Sequence, residues 1–247
     1  MDRMLYISMN AAQQTMLAQA ANSNNLANVN TIGFRQDFEQ FRSQPVFGEG
    51  LPTRVYSMSE RPATDYQQGE VQTTGRDLDI SVQGKGFIAV QGKDGREGYT
   101  RAGDLHILPT GQLVTGTGLA VMGDGGPISI PPAEKIDIGS DGTISIRAIG
   151  AQANELTVLD RIKLVKPDLK TIFKDKDGLM RMKDGSNAPL DATITVASGT
   201  VEGSNVNAVS ALVRMIELQR QYEMQVKMMK SADDNSAASA RLLQLGG

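Results

Sequence analysis

An α+β fold, with paired terminal helices and an inserted, mainly antiparallel all-β domain, is predicted by three observations. None of the 26 glycines precedes Gly33, and none lies between Gly203 and Gly246, as two long helices require. Five Asp-Gly dipeptides, beginning at Asp94, Asp124, Asp141, Asp177 and Asp184, mark the middle as hairpin-rich. Charge divides in the same way: residues 1–34 carry only Asp2 and Arg3, residues 206–247 carry a near-balance of both signs, and the middle supplies the rest of the net charge of −3. The expected organisation is an N-terminal helix with an Asn-rich terminator over 1–34, an extended connector over 35–74, an all-β domain over 75–203, and a C-terminal helix over 204–247. That last helix is expected to pair with the first in coiled-coil fashion.

The first helix is read from Leu5, Met9, Ala12, Met16, Gln19, Ser23 and Leu26, which alternate at four- and three-residue spacing. Its other faces are Gln, Asn, Thr and Ala rather than the Glu and Lys of a solvated helix. Repeated asparagines from Asn22 to Asn30 and then Gly33 are expected to stop it, because Asn tolerates the left-handed conformation and Gly permits a reversal. Phe34 would anchor the exit. Pro45, Pro52 and Pro62 make the connector extended rather than helical.

In the β domain, Leu78, Ile80 and Val82 alternate with Asp79 and Ser81, which predicts a strand with Asp77 and Asp79 on its wet side. Phe87 to Val90, Ile128 to Ile130, Ile136 to Ile138, Ile144 to Ile146, Ile162 to Val165 and Ala192 to Val196 continue the strand pattern. The last helix repeats the heptad stripe through Leu212, Met215, Gln219, Tyr222, Val226, Met229, Asp233, Ser236, Ala240 and Leu243. Val209, Val213 and Ile216 widen its apolar face, Ser204-Asn205 are expected to cap it, and Gly246-Gly247 to end it.

Composition excludes several classes of function. With 25 Lys+Arg against 28 Asp+Glu there is no general attraction to nucleic acid. No Cys and one His leave no thiol nucleophile and no zinc site of the usual kind. Aromatic residues are 4% of the chain and Trp is absent, so stacking platforms for sugars or bases are scarce. No window approaches the roughly 18 apolar residues that span a bilayer, and no cleaved secretory signal is visible.

Each candidate chemical site weakens on its context. Gly84-Lys85-Gly86-Phe87-Ile88-Ala89 has the dinucleotide-binding spacing, but a strand follows where a helix must open. Asp77 and Asp79 read as a solvated strand face rather than an acid and base pair. Asp175-Lys176-Asp177-Gly178 lacks the ligand spacing of a calcium loop and reads as a hairpin turn. His106 sits on strand alternation and reads as structural or exposed. No catalytic residue, metal or cofactor is expected.

The stretch Ala21 to Arg35, with its repeated asparagines and Gly33-Phe34-Arg35 exit, closely resembles the N-terminal signature of the bacterial flagellar axial proteins, the rod and hook subunits. Gly203-Ser204-Asn205-Val206-Asn207 with Leu212 to Glu223 resembles the family's C-terminal signature. Thr74 to Ile80 and Tyr99-Thr100-Arg101-Ala102-Gly103 resemble its β-domain motifs. Chain size points to the larger rod members, and Tyr222 to Met229 is more similar to the proximal than the distal rod type, which more often has Asn where Gln225 stands.

This resemblance implies a structural subunit of the basal-body rod, polymerising helically through its terminal helices around an export channel. Its partners would be copies of itself, other rod proteins and the flagellar type III export apparatus, with no nucleic acid and no membrane insertion. Its place would be the periplasmic rod of the basal body. Interface residues would be Leu5, Met9, Met16, Asn25, Leu26, Asn28, Asn30, Gly33 and Phe34 at one end. At the other end they would be Asn205, Leu212, Met215, Gln219, Arg220, Tyr222, Val226 and Met229. The alternatives are a distal rod subunit and, in a different class, a periplasmic carbohydrate-binding or carbohydrate-cleaving module.

Overall fold

A computed structural model of the chain describes residues 3–45, 55–60, 64–150 and 156–245. Pro52, Pro62 and Gly246-Gly247 lie outside the described residues. Two compact units are present, each drawn from distant parts of the sequence. One combines residues 1–28, 36–65 and 206–247, and the other residues 29–35 and 66–205.

The first unit holds α1 (Arg3–Ala27), the strands β1 (Gln40–Pro45) and β2 (Val55–Glu60), and α2 (Ala208–Leu245). The helices run antiparallel: Asn22 Nδ2 donates to the Ala211 carbonyl at 2.8 Å, while Gln225 Nε2 donates to Thr15 Oγ1 at 3.1 Å further along. The cap of α2 is Asn207, not Ser204-Asn205. Its Oδ1 accepts from the Ser210 N–H at 3.0 Å, the third-residue bond that satisfies an otherwise orphaned helix donor. Asn205 is committed elsewhere, its side chain to the Gln67 carbonyl at 3.2 Å and its N–H to the Phe34 carbonyl at 3.4 Å.

The stop of α1 also differs from expectation. Gly33 has the positive φ, +69°, but no described non-glycine residue does, so the asparagines act through side-chain hydrogen bonds instead. Asn28 Nδ2 closes on the Asn24 carbonyl at 2.8 Å. Asn25 imitates a strand partner for Asp37, donating to its carbonyl at 2.9 Å and accepting from its N–H at 3.1 Å. The 35–74 stretch is divided. Its first part pairs β1 with β2 antiparallel, Gln40 opposite Glu60, and the Ser59 N–H donates to Gln14 Oε1 at 2.8 Å. Its last part belongs to the second unit.

The second unit is all β. In chain order its strands are β3 (Val71–Thr73), β4 (Ile80–Val82), β5 (Phe87–Gln91), β6 (Glu97–Thr100), β7 (Leu105–Ile107), β8 (Leu113–Thr115), β9 (Ala120–Val121), β10 (Ala133–Ile138), β11 (Thr143–Ala148), β12 (Thr157–Arg161), β13 (Leu164–Val165), β14 (Ile172–Lys174), β15 (Met180–Met182), β16 (Val196–Ser198) and β17 (Thr200–Glu202). The largest sheet runs β14-β15-β6-β5-β9-β8-β7 with β13 paired to β5, and a second runs β10-β11-β12. Two short ladders, β16 on β4 and β17 on β3, tie the C-terminal part back to the N-terminal part. Every named pairing is antiparallel, which hairpin connections permit and parallel strands do not.

Two apolar clusters form. The larger includes Ile80, Val82, Ile88, Leu105, Ile144 and Ile162. The smaller gathers Phe87, Ala89, Tyr99, Val165, Ile172 and Met180, with Tyr66 edge-on to Phe87 at 6.4 Å between ring centroids. Tyr99 lies within it, its hydroxyl accepting from the Ala188 N–H at 2.6 Å, and burial pushes the phenol up to about 12.

Strand β4 corrects the alternation reading: Asp79 and Ser81 are buried along with Ile80 and Val82. The second face is covered because Ser81 Oγ bonds Thr200 Oγ1 at 2.7 Å and the Asp79 carbonyl accepts from Gly199 at 2.7 Å. Asp77 stays exposed, so the two carboxylates do not share an environment. Asp104, which bridges to Asp79, has its pKa raised, first by burial and in smaller part by the Asp79 charge.

The Asp175-Gly178 segment is a turn between β14 and β15, and the buried Arg181 threads its carboxylates together with Asp94. Arg181 Nη1 meets Asp94 Oδ2 at 2.6 Å and Asp175 Oδ2 at 3.4 Å, and Nη2 meets Asp177 Oδ2 at 2.5 Å. Arg181 and then Arg96 hold the Asp94 carboxyl well below the usual carboxylate range. A carboxyl depressed in the fold contributes stability above its unfolded pKa and loses it as pH falls. Arg181→Met is therefore expected to destabilise most near pH 7, the difference from the parent shrinking as pH drops through 4 toward 2. Urea midpoints across that range measure it.

Candidate assembly surface

Side chains on α1 are sorted by size in the opposite sense to an ordinary amphipathic helix, and α2 leaves several large apolar residues exposed. On α1 the buried positions are Ser8, Ala12, Thr15, Ala18, Ala21 and Asn25. On α2 they are Ala211, Leu218 and Ala232, with Met215, Tyr222, Gln225 and Met229 half-buried on the same heptad face. Ser8 Oγ and Gln225 Oε1 are enclosed with this face without a hydrogen-bond partner, and Asn10 Oδ1 elsewhere on α1 also has none. The large apolar residues point the other way, with Met9 at 54%, Met16 at 56%, Ile216 at 52% and Val209 at 70% exposure, joined by Leu17, Val213 and Met224.

On α2 the heptad stripe meets the observed inward face at Met215, Tyr222 and Met229, and on α1 at Ala12. Of the other α2 members, Asp233, Ser236 and Ala240 are exposed, as are Leu212, Gln219 and Val226, each one residue beyond the buried Ala211, the buried Leu218 and the half-buried Gln225. One residue turns a helix by roughly 100°, so at these three turns the inward stripe of α2 lies one position before Leu212, Gln219 and Val226. Small size is what the sequence reading undervalued: Ser8, Thr15 and Ala211 carry little apolar weight yet let two helix backbones approach.

The remaining interface candidates are distributed as follows. On α1, Leu5 and Leu26 are half-buried, Asn25 is buried and Asn28 folds onto its own helix, while Asn30 beyond the helix and Arg220 on α2 are exposed. Gly33, Phe34 and Asn205 sit in the β unit. There the Phe34 ring lies under Lys174 Nζ at 4.1 Å from its centroid, and the Gly33 N–H donates to the Glu202 carbonyl at 2.7 Å. Among the described residues, no polar side chain on the exposed helical face is gathered with others in a way that suggests chemistry. Gln219 reaches Glu223 at 3.5 Å and Arg214 reaches Glu217 at 3.2 Å along the same helix, the pairs expected between successive helical turns. What this face offers is apolar area.

Among the described residues no helix is long and apolar enough to cross a membrane. Residues 5–35 match the family described as "Flagella basal body rod protein", residues 81–146 the family "Flagellar hook protein FlgE/F/G D1 domain", and residues 197–242 the family "Flagellar basal body rod FlgEFG protein C-terminal". The chain is 42% identical to the flagellar basal-body rod protein FlgF of Escherichia coli, covering 99% of this chain and 100% of that protein. It is 35% identical to FlgF of Caulobacter vibrioides over 98% of this chain and 96% of that one. It is 31% identical to the rod protein FlgG of Bacillus subtilis over 85% and 88%. End-to-end similarity at this level, together with the match of both terminal helices and the β unit, establishes that the chain belongs to the family of flagellar basal-body rod proteins.

Proposed function

We propose that this rod subunit enters a helical polymer through the outward faces of α1 and α2, packing there in coiled-coil manner against helices of neighbouring subunits. The supporting observation is that α1 buries only small and polar side chains while Met9, Met16 and Leu17 on α1 and Val209, Val213 and Ile216 on α2 are left outside. Covering the exposed part of one such side chain contributes about 1 kcal/mol, whereas each unsatisfied buried polar atom in the pair costs about 1–3 kcal/mol. A lone pair is therefore poorly stabilised, and stacking against further copies supplies what it lacks. A head-to-tail contact that does not close by rotation builds an open helix, the form of a drive shaft with a central channel.

The proximal position is favoured over the distal one by the 42% identity to FlgF of Escherichia coli against 31% to FlgG of Bacillus subtilis, and by Gln225. Placement in the periplasmic rod after passage through the export apparatus follows from the same reading. The role is structural, so the relevant measurements are of contact rather than turnover. A photo-reactive amino acid at Ile216 or Met16 should cross-link to rod proteins in purified basal bodies, while the same group at Lys93 in the β5–β6 turn should not. Cross-links from Lys93 alone would place the polymer contacts in the β unit.

A further inference from the structure

We propose that Glu202 is the positioning residue of a clasp, built wholly within the β unit, that holds together the two points from which the chain departs toward α1 and α2. We propose further that this clasp forms with the β unit in the free subunit. The Glu202 carboxylate is fully buried and both of its oxygens are used. Oε1 accepts from Arg35 Nη2 and from the Gly69 N–H at 3.0 Å, and Oε2 accepts from Arg101 Nη1 at 2.8 Å. Arg101 in turn donates to the carbonyls of Val82, at 2.9 Å, and Gly84, and stacks over the Phe87 ring at 5.4 Å. One carboxylate thereby joins the 33–35 segment to the start of β5, the end of β6, the segment before β3 and the end of β17.

The backbone follows the same plan. Gly33 N–H donates to the Glu202 carbonyl at 2.7 Å, Gly203 N–H to Glu70 at 2.8 Å, and Asn205 N–H to Phe34 at 3.4 Å. Lys174 Nζ closes over the top, donating to the Arg35 carbonyl at 2.7 Å. Every one of these residues belongs to the second unit, and none is helical.

Two guanidinium groups against one carboxylate make a poor source of stability: Arg35 Nε and Nη1 and Arg101 Nε have no partner, and buried ion pairs often do no better than apolar side chains of the same volume. Such a network specifies geometry instead. Arg35 and Glu202, 167 positions apart, can meet only when the chain entering and the chain leaving the β unit lie side by side. Since α1 ends at Ala27 and α2 begins at Ala208, each helix is then tethered to that point by a few residues. A short tether raises the effective concentration of one helix for the other to about the millimolar range. The clasp would therefore predispose two individually weak helices to pair, a consequence that rests on the assembly reading above. The clasp itself does not.

Amide hydrogen exchange on the full-length free subunit tests it. Peptides covering 29–35 and 200–205 should exchange within about tenfold of those covering β5, and Glu202→Gln should accelerate exchange at 29–35 and 203–205 by at least about tenfold with β5 unchanged. Glu202→Asp, which keeps the charge, should restore part of the protection. Protection at 29–35 more than tenfold below β5 in the parent would overturn the proposal, as would uniform acceleration across β5 in Glu202→Gln, since either makes Glu202 an ordinary core group or the clasp absent. If Glu202→Gln does not fold, Lys174→Met decides: it should loosen 29–35 alone, and no change there overturns the proposal. Normal rod incorporation of subunits with Asp on the outward helix face, alongside an intact exchange pattern, would defeat the assembly reading while leaving the clasp standing.

Discussion

Replacing Ile216 with Asp is expected to lower incorporation into basal bodies by more than about 100-fold while leaving the β unit of the free subunit unchanged. Ile216 sits at 52% exposure on the outward face of α2, near Val209 and Val213. Covering its remaining exposed half against a neighbouring subunit contributes roughly 1 kcal/mol, and a carboxylate enclosed there without a partner costs several kcal/mol more. At 1.4 kcal/mol per tenfold, the sum passes two decades for one contact, and a polymer repeats the loss at every subunit. Leu212→Asp and Val226→Asp, at 44% and 41% exposure, should act in the same direction. Leu218→Asp should also prevent incorporation but for a different reason: Leu218 is 1% exposed, so the charge separates α2 from α1 within the subunit. Far-ultraviolet circular dichroism of the free subunits tells the two apart, with helix content preserved in Ile216→Asp and reduced in Leu218→Asp. Lys93→Asp, on an exposed turn, should assemble normally. Motile cells carrying Ile216→Asp at parental expression would mean that this face meets solvent in the rod.

The fold was legible where local chemistry decides it and obscured where distant segments do. Glycine placement located both helices, and the Asp-Gly turns at Asp94, Asp141 and Asp177 each join consecutive antiparallel strands, because a turn dictates its own hairpin. Asp79 misled for the converse reason. Alternation describes a strand with one covered face, and the Ser81 side of β4 meets Thr200 of β17, 119 positions away, which no local pattern records. Glu202 was overlooked on the same ground, since nothing near it in sequence indicates that Arg35 and Arg101 converge on it. A buried acid is legible only through the bases that surround it. Within the helices, heptad spacing gives a periodicity, but which of two adjacent stripes turns inward depends on the partner. In α1 the partner selects Ser8, Ala12 and Thr15 for closeness over Met9 and Met16 for apolarity.

Gly33→Ala is the backbone counterpart of the Ile216 experiment, and its expected effect is the loss of at least about 2 kcal/mol from the β unit or the release of the 29–35 segment from it. Two independent causes add. Gly33 holds φ at +69°, a region that costs a residue with a Cβ roughly 1–2 kcal/mol. The space is also closed, for a Cβ at Gly33 would fall within the backbone of Arg101 and Ala102, atoms that cannot yield as a flexible side chain would. Relief requires either a shift of the β6 end, with Arg101 and its bond to Glu202 at 2.8 Å, or withdrawal of the 33–35 segment and surrender of the Gly33 N–H bond to Glu202 at 2.7 Å. Gly75 provides the control. Its φ is +73° but a Cβ there meets nothing within 4 Å, so Gly75→Ala bears the conformational cost alone. Urea unfolding of the three proteins should therefore rank the parent above Gly75→Ala and Gly75→Ala well above Gly33→Ala. Equal midpoints for the two variants would show that the 33–35 segment is not held against Arg101 and Ala102 in solution.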